Sequence, residues 1–163
     1  MKKFIFFLAL TAITIITSSG FNENRFGVRP GEKAPLIEIT DSTEQNATID
    51  YRNKYTIINV WKSDDATSRT REKKYQAWLN KETLKNETAI VSINLDENTT
   101  LFKSIVLSDG LDMGRQHNLC GPEADKLRKK LEMTNAIGSL LIAPDGKVMA
   151  VNPKIADLQE ILS

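Results

Sequence analysis

Hydrophobic and polar positions alternate along this chain with two different periods. Residues 55–61 (YTIINVW) and 88–95 (TAIVSINL) are nearly continuous apolar and β-branched runs, the mark of strands buried on both faces. Residues 36–40 and 47–50 are shorter β-prone runs, and the polar cluster at 41–45 predicts a hairpin turn between them. Residues 66–84 are helix-permissive, with Tyr75, Trp78 and Leu79 at helical spacing behind the capping residues Ser63, Asp64 and Asp65. A second helix is expected over 98–108, with Leu101, Phe102, Ile105 and Leu107 turned inward. Gly121-Pro122-Glu123 opens a third, to about residue 131, with Leu127 and Leu131 on one face. Residues 139–143 and 147–152 flank Pro144-Asp145-Gly146, a strong hairpin turn, and 155–162 closes as a short amphipathic helix. The order β-β-β-α-β-α-α-β-β-α predicts an α/β domain, a mixed sheet with helices on both faces.

The first 20 residues read differently. Lys2 and Lys3 give a positive start, residues 4–16 run apolar apart from Thr11 and Thr14, and Thr17-Ser18-Ser19-Gly20 supplies small residues. This is the three-part pattern of a secretory signal, with an apolar run too short to span a bilayer comfortably. The expectation is a signal peptide over 1–20, a flexible lead-in over 21–30 and one domain over 31–163. The protein would then be exported, to the periplasm or beyond, with no membrane span after cleavage.

Composition narrows the functions. Net charge is +1 and charged residues make up 26%, which favours neither nucleic acid nor a membrane surface as partner. Cys120 is the single cysteine, so no intramolecular disulfide is possible and stability must come from packing. Asn-x-Thr sequons at Asn46, Asn86 and Asn98 would matter only in a eukaryotic secretory pathway. One histidine, His117, three residues from Cys120, is too little for a metal site, and no Gly-rich phosphate loop occurs, so no cofactor is expected. Asp64, Asp65 and Asp96 are most simply caps or strand-end residues. Arg69, Arg71, Lys73 and Lys74 form a basic run that reads as a solvated helix face or as a hold for an acidic partner peptide.

Three segments resemble the thioredoxin-like superfamily, in particular its exported thiol–disulfide oxidoreductase and alkyl-hydroperoxide-reductase-like branch. Gly31-Glu32-Lys33-Ala34-Pro35 is similar to the G-x-x-A-P that precedes the first strand there. Ile58-Asn59-Val60-Trp61-Lys62-Ser63 resembles the V-N-F-W-A-S strand leading to the redox loop. Residues 140–148 (LLIAPDGKV) resemble the F-L-I-D-P-D-G-K-I hairpin. The resemblance implies a thioredoxin-like fold from about Gly31 to the C-terminus. It also implies where the chemistry should be. The two cysteines of Cys-x-x-Cys fall on Asp65 and Ser68, and the cis-proline falls near Ile137.

A thiolate at a helix N-terminus attacks a disulfide and a second thiol resolves the product; a carboxylate there is no redox nucleophile. A non-proline residue at 137 almost never adopts a cis bond. The expectation is therefore a redox-silent thioredoxin-like domain that binds a peptide or protein partner in the cell envelope. Trp61, Asp64, Asp65, Ser68, Arg69 and Ile137 would surround that partner. The alternative is a monothiol oxidoreductase or peroxide-reactive protein using Cys120, beside the helix start at Gly121-Pro122. A third reading is a structural module of an envelope assembly.

Overall fold

The apolar run at residues 55–61 becomes the middle of the sheet because both of its faces are covered. In the computed structural model, residues 26–40, 46–80, 87–134 and 137–162 are described. The expected leader, the turn at 41–45 and the end of the long helix at 81–84 lie outside them. The elements are β1 (Glu38–Thr40), β2 (Asn46–Thr48), β3 (Tyr55–Trp61), α1 (Ala66–Asn80), β4 (Thr88–Asn94), α2 (Thr99–Ser108), β5 (Gln116–Asn118), α3 (Gly121–Lys130), β6 (Gly138–Ile142), β7 (Val148–Val151) and α4 (Ile155–Ile161). β1 and β2 form an antiparallel pair. The other strands make one sheet in the order β5-β4-β3-β6-β7, parallel across β5, β4 and β3 and antiparallel across β3, β6 and β7.

Alternation along β3 separates two layers. Ile58 and Val60 face a core shared with the β1–β2 pair and α3, where Ala124, Leu127 and Leu131 are buried. Ile57 faces the opposite side with Tyr75, Trp78 and Leu79 of α1 and Leu158 of α4. Trp61, on that same side, meets Phe102 of α2 with ring centroids 6.2 Å apart. The α/β arrangement with a mixed sheet expected from the residue pattern is the one observed, and it agrees with the thioredoxin-like fold that the resemblance implies. Among the described residues no helix is long and apolar enough to cross a membrane.

Three details differ from expectation. Residues 116–118 (QHN) form an edge strand that no hydrophobic period announces; Ser92, Ile93 and Asn94 of β4 supply its register. α2 is rotated by about one position, burying Phe102 and Val106 and exposing Leu101 (44%) and Leu107 (82%), because the Trp61–Phe102 contact sets its phase. The segment read as a loose lead-in is anchored from Phe26 onward. Phe26 is buried, and Gly27 donates its N–H to Leu131 O and Glu132 O. Phe26 lies so close over Gly138 that a Cβ there would collide with its ring, so the start of β6 requires glycine. Gly146 takes φ 81° in the β6–β7 turn, a conformation that glycine adopts without strain.

The interface between α1 and the sheet is not wholly apolar. Glu72 has no exposed surface and its carboxylate accepts from Asn59 Nδ2 (2.6 Å), Gln76 Nε2 (2.6 Å), Gln116 Nε2 (2.7 Å) and Ser92 Oγ (2.7 Å). These donors come from β3, α1, β5 and β4. The amide oxygens are engaged as well, Gln116 Oε1 by Trp61 Nε1 at 3.0 Å and Gln76 Oε1 by the Asp112 N–H at 2.9 Å. Turning either amide to suit a new neighbour would therefore break another bond. Beside this cluster the buried Tyr75 hydroxyl donates to Pro153 O at 2.5 Å and shares a bond with Ser139 Oγ at 2.8 Å; burial pushes its phenol above the usual value.

Glu72→Gln keeps the shape but presents an NH2 to the Asn59, Gln76 and Gln116 amides, whose own NH2 groups point at it and whose oxygens are already engaged, leaving the Ser92 hydroxyl as the partner able to accept. It should cost about 1–3 kcal/mol, the price of an unsatisfied buried polar group. Urea unfolding should show a lowered midpoint with an unchanged slope. A midpoint equal to wild type would show that the carboxylate is not required there.

Candidate functional site

β3 ends at Trp61, and the seven residues that follow turn into α1. The turn holds itself. Asp65 caps α1, its Oδ1 accepting from the Ser68 N–H at 2.5 Å. Ser68 Oγ accepts from the Lys62 N–H at 3.2 Å and donates to Asp65 O at 3.1 Å. The Ser63 N–H donates to Asp96 Oδ1 at 3.0 Å, tying this loop to the one that follows β4. Asp96 is itself buried and also accepts from Asn94 Nδ2. Asp64 projects into solvent, 3.5 Å from Lys62 Nζ.

Most of the residues singled out in the sequence meet at this end of the sheet. Asp65 and Ser68 touch, in the first turn of α1. The register pairing Val60 with Gly138 sets half-buried Ile137 opposite Trp61, where the loop leaves β3. Asn135 and Ala136, just before it, are outside the described residues. Two of the expected partner contacts need correction. Trp61 and Ser68 have no exposed surface, because the indole packs under α2 and bonds Gln116 while the serine is consumed within the turn. They support the loop from beneath. Asp64, Asp65, Arg69 and Ile137 are what it shows to solvent.

Cys120 is elsewhere. It is the N-cap of α3 just beyond β5, with two strand spacings, about 10 Å, between β5 and β3. Its side chain is half-buried and makes no cap bond. The Gly121 N–H donates to the Glu97 carboxylate at 3.2 Å, so a thiolate at Cys120 would share this helix start with an anion already bound there.

The basic run divides into two pairs. Arg69 grips Asp109 with two bonds of 2.8 and 2.9 Å, and Lys73 stands 3.6 Å from the same carboxylate, joining α1 to the end of α2. Arg69 beside it holds the Asp109 carboxyl below its ordinary value, and the Arg69 guanidinium is raised in return. Arg71 instead donates to neutral oxygens, Asn59 Oδ1 at 2.8 Å and Val60 O at 3.0 Å, and Lys74 is exposed. Glu72 was missed in the sequence although a signal existed. It lies three residues before Tyr75 and seven before Leu79, on the stripe that the helical period turns inward.

No protein-family model and no curated protein sequence matches the chain. Solved structures do. A thioredoxin-like protein from Parabacteroides distasonis is 31% identical, with a TM-score of 0.68, over 83% of this chain and 96% of that one. The thioredoxin domain of a thiol-disulfide oxidoreductase from Bacteroides vulgatus is 19% identical with a TM-score of 0.70, over the same shares of each chain. A thiol:disulfide interchange protein of the thioredoxin family from Chlorobium tepidum is 16% identical with a TM-score of 0.63, over 83% of this chain and 95% of that one.

The Asp109 clamp carries a pH signature. Because its folded pKa is lowered, its stabilisation is complete above the unfolded value of about 3.9 and disappears as pH falls through the folded one. Asp109→Asn should cost about 1–2 kcal/mol near neutral pH. The deficit relative to wild type should shrink steadily in acid, as read from urea midpoints at a series of pH values. A deficit that persists unchanged to pH 2 would assign it to lost packing rather than lost charge.

Proposed function

The chain belongs to the thioredoxin-like family, and we propose that it is an exported, redox-silent member in which the Asp65–Ser68 helix cap stands at the positions of the redox pair and which binds a peptide or protein partner across the loop at 62–68. The bond from the Ser68 N–H to Asp65 Oδ1 carries this reading. Disulfide exchange needs one thiolate to attack sulfur and a second thiol to release the product. Here an acceptor-only carboxylate and a buried hydroxyl occupy those places, and each is spent on holding the turn. The half-exposed rim of Asp65, Arg69 and Ile137 next to exposed Asp64 is what remains to meet a partner. Export is supported by the leader pattern at residues 1–20. A monothiol mechanism at Cys120 has less support, since the cysteine is remote from this loop and Glu97 occupies the neighbouring amide.

The purified protein should fail to reduce insulin disulfides with dithiothreitol as electron source. Turnover comparable with that of an ordinary thioredoxin overturns the redox-silent reading.

Restoring the pair tests the location of the loop. In a Cys120→Ser background, Asp65→Cys with Ser68→Cys should close an intramolecular disulfide that dithiothreitol reopens, with about 1 kcal/mol lost from the cap. Mass spectrometry after oxidation reads it. A variant that folds normally but whose thiols never pair would show that the redox loop has been misplaced.

A further inference from the structure

An open groove of about 790 Å³ runs along the flank of α1, between its first three turns and the segment at 152–155 that leads into α4. Its charge is one-sided. Arg71, Lys74 and Lys154 line it with the hydroxyl-bearing Thr67 and Thr70, and none of its lining residues is acidic. Several charges elsewhere on the surface sit in opposite-sign pairs, as in Arg52–Asp50, Lys126–Glu123 and Arg128–Asp125. Those in the groove do not. The Lys74 and Lys154 ammonium groups form no ion pair among the described residues, Asp157 accepting only from the Lys154 backbone N–H at 2.7 Å, and Arg71 leans on the neutral Asn59 and Val60 oxygens. Those two bonds fix the guanidinium in place and use two of its five N–H groups, so three remain to give. Burial draws Arg71 below its usual value against the opposing pull of the Asp65 and Glu72 carboxylates, and a bound anion would offset that desolvation.

We propose that this groove seats an acidic, extended segment of a partner protein, its carboxylates paired with Arg71, Lys74 and Lys154. The proposal rests on the partner-binding reading above and gives that partner its chemistry. From Ala66 to Lys74 the helix advances about 12 Å, the span of about four extended residues, which suits a peptide better than a single small anion. Nucleic acid fits less well. The groove's aromatic residue, Tyr75, is 1% exposed and offers no face for a base to stack on.

Fluorescence anisotropy on the purified protein decides the matter, with a labelled hexapeptide carrying three Glu and the same peptide with Gln in their places. In about 50 mM salt, where screening is weak, the acidic peptide should bind at least tenfold more tightly than the neutral one. Lys74→Gln with Lys154→Gln should weaken it tenfold or more while the circular dichroism spectrum stays native. Lys126→Gln with Lys129→Gln, on α3, should leave it unchanged. Equal affinity for the two peptides would overturn the acidic preference while leaving a partner site in place. Displacement by inorganic phosphate at the peptide's own concentration would mean a small-anion site only, and overturns the peptide. No binding of either peptide overturns the groove as the seat. The insulin assay judges the redox-silent reading separately, so the two can fail independently.

Discussion

Everything between α1 and the sheet is organised by one carboxylate that water cannot reach. A buried charge costs several kcal/mol unless every lone pair is used, and Glu72 meets that demand with donors from four separate elements. The demand works in both directions. Asn59 and Ser92 are polar residues between apolar strand neighbours and Gln116 opens a polar strand; all three are buried, and each would be a liability without a shared acceptor. Sliding any one of β3, β4 or β5 by a residue would turn its donor to the opposite face and leave the carboxylate short. The cluster thus fixes register as well as contributing energy, and it explains why a triplet as polar as QHN joins a sheet.

This rigid base shapes the loop above it. Trp61 is held by Gln116, which is held by Glu72, so the end of β3 and the start of α1 are positioned through a single chain of hydrogen bonds. The turn from Lys62 to Ser68 then closes with the Asp65 and Ser68 side chains spent on the turn itself, while Asp64 points into solvent. Here the helix terminus is satisfied by its own cap, and burial and capping hold the turn in place.

How much of this the sequence displays depends on the kind of force involved. Strands β3 and β4 are legible because burial on both faces writes itself as an unbroken apolar run, and the β6–β7 turn is legible because Pro144-Asp145-Gly146 has few other uses. The phase of α2 is not, since Leu101 and Leu107 are as apolar as Phe102 and Val106 and only the distant Trp61 decides between them. β5 and the Glu72 cluster are hidden for a related reason. Their stability lies in pairings up to 44 residues apart, among side chains that taken singly read as surface. Asp65 and Ser68 could be located by resemblance. That Ser68 is wholly covered while Asp64 is not could only come from the folded turn. Lys154 had no sequence signal at all, because it becomes notable only when α4 lies alongside α1.

Tyr75 has a kinetic consequence. Its hydroxyl reaches from α1 to Pro153 O and Ser139 Oγ, so the helix wall of the groove and the wall at 152–155 are fastened to each other from beneath. Neither wall has to close on an incoming molecule. Association at such a site has no conformational step to wait for, and its speed is governed by diffusion and by the attraction of Arg71, Lys74 and Lys154 acting over about one Debye length. Added salt would slow the encounter far more than it would shorten the lifetime of what had already arrived.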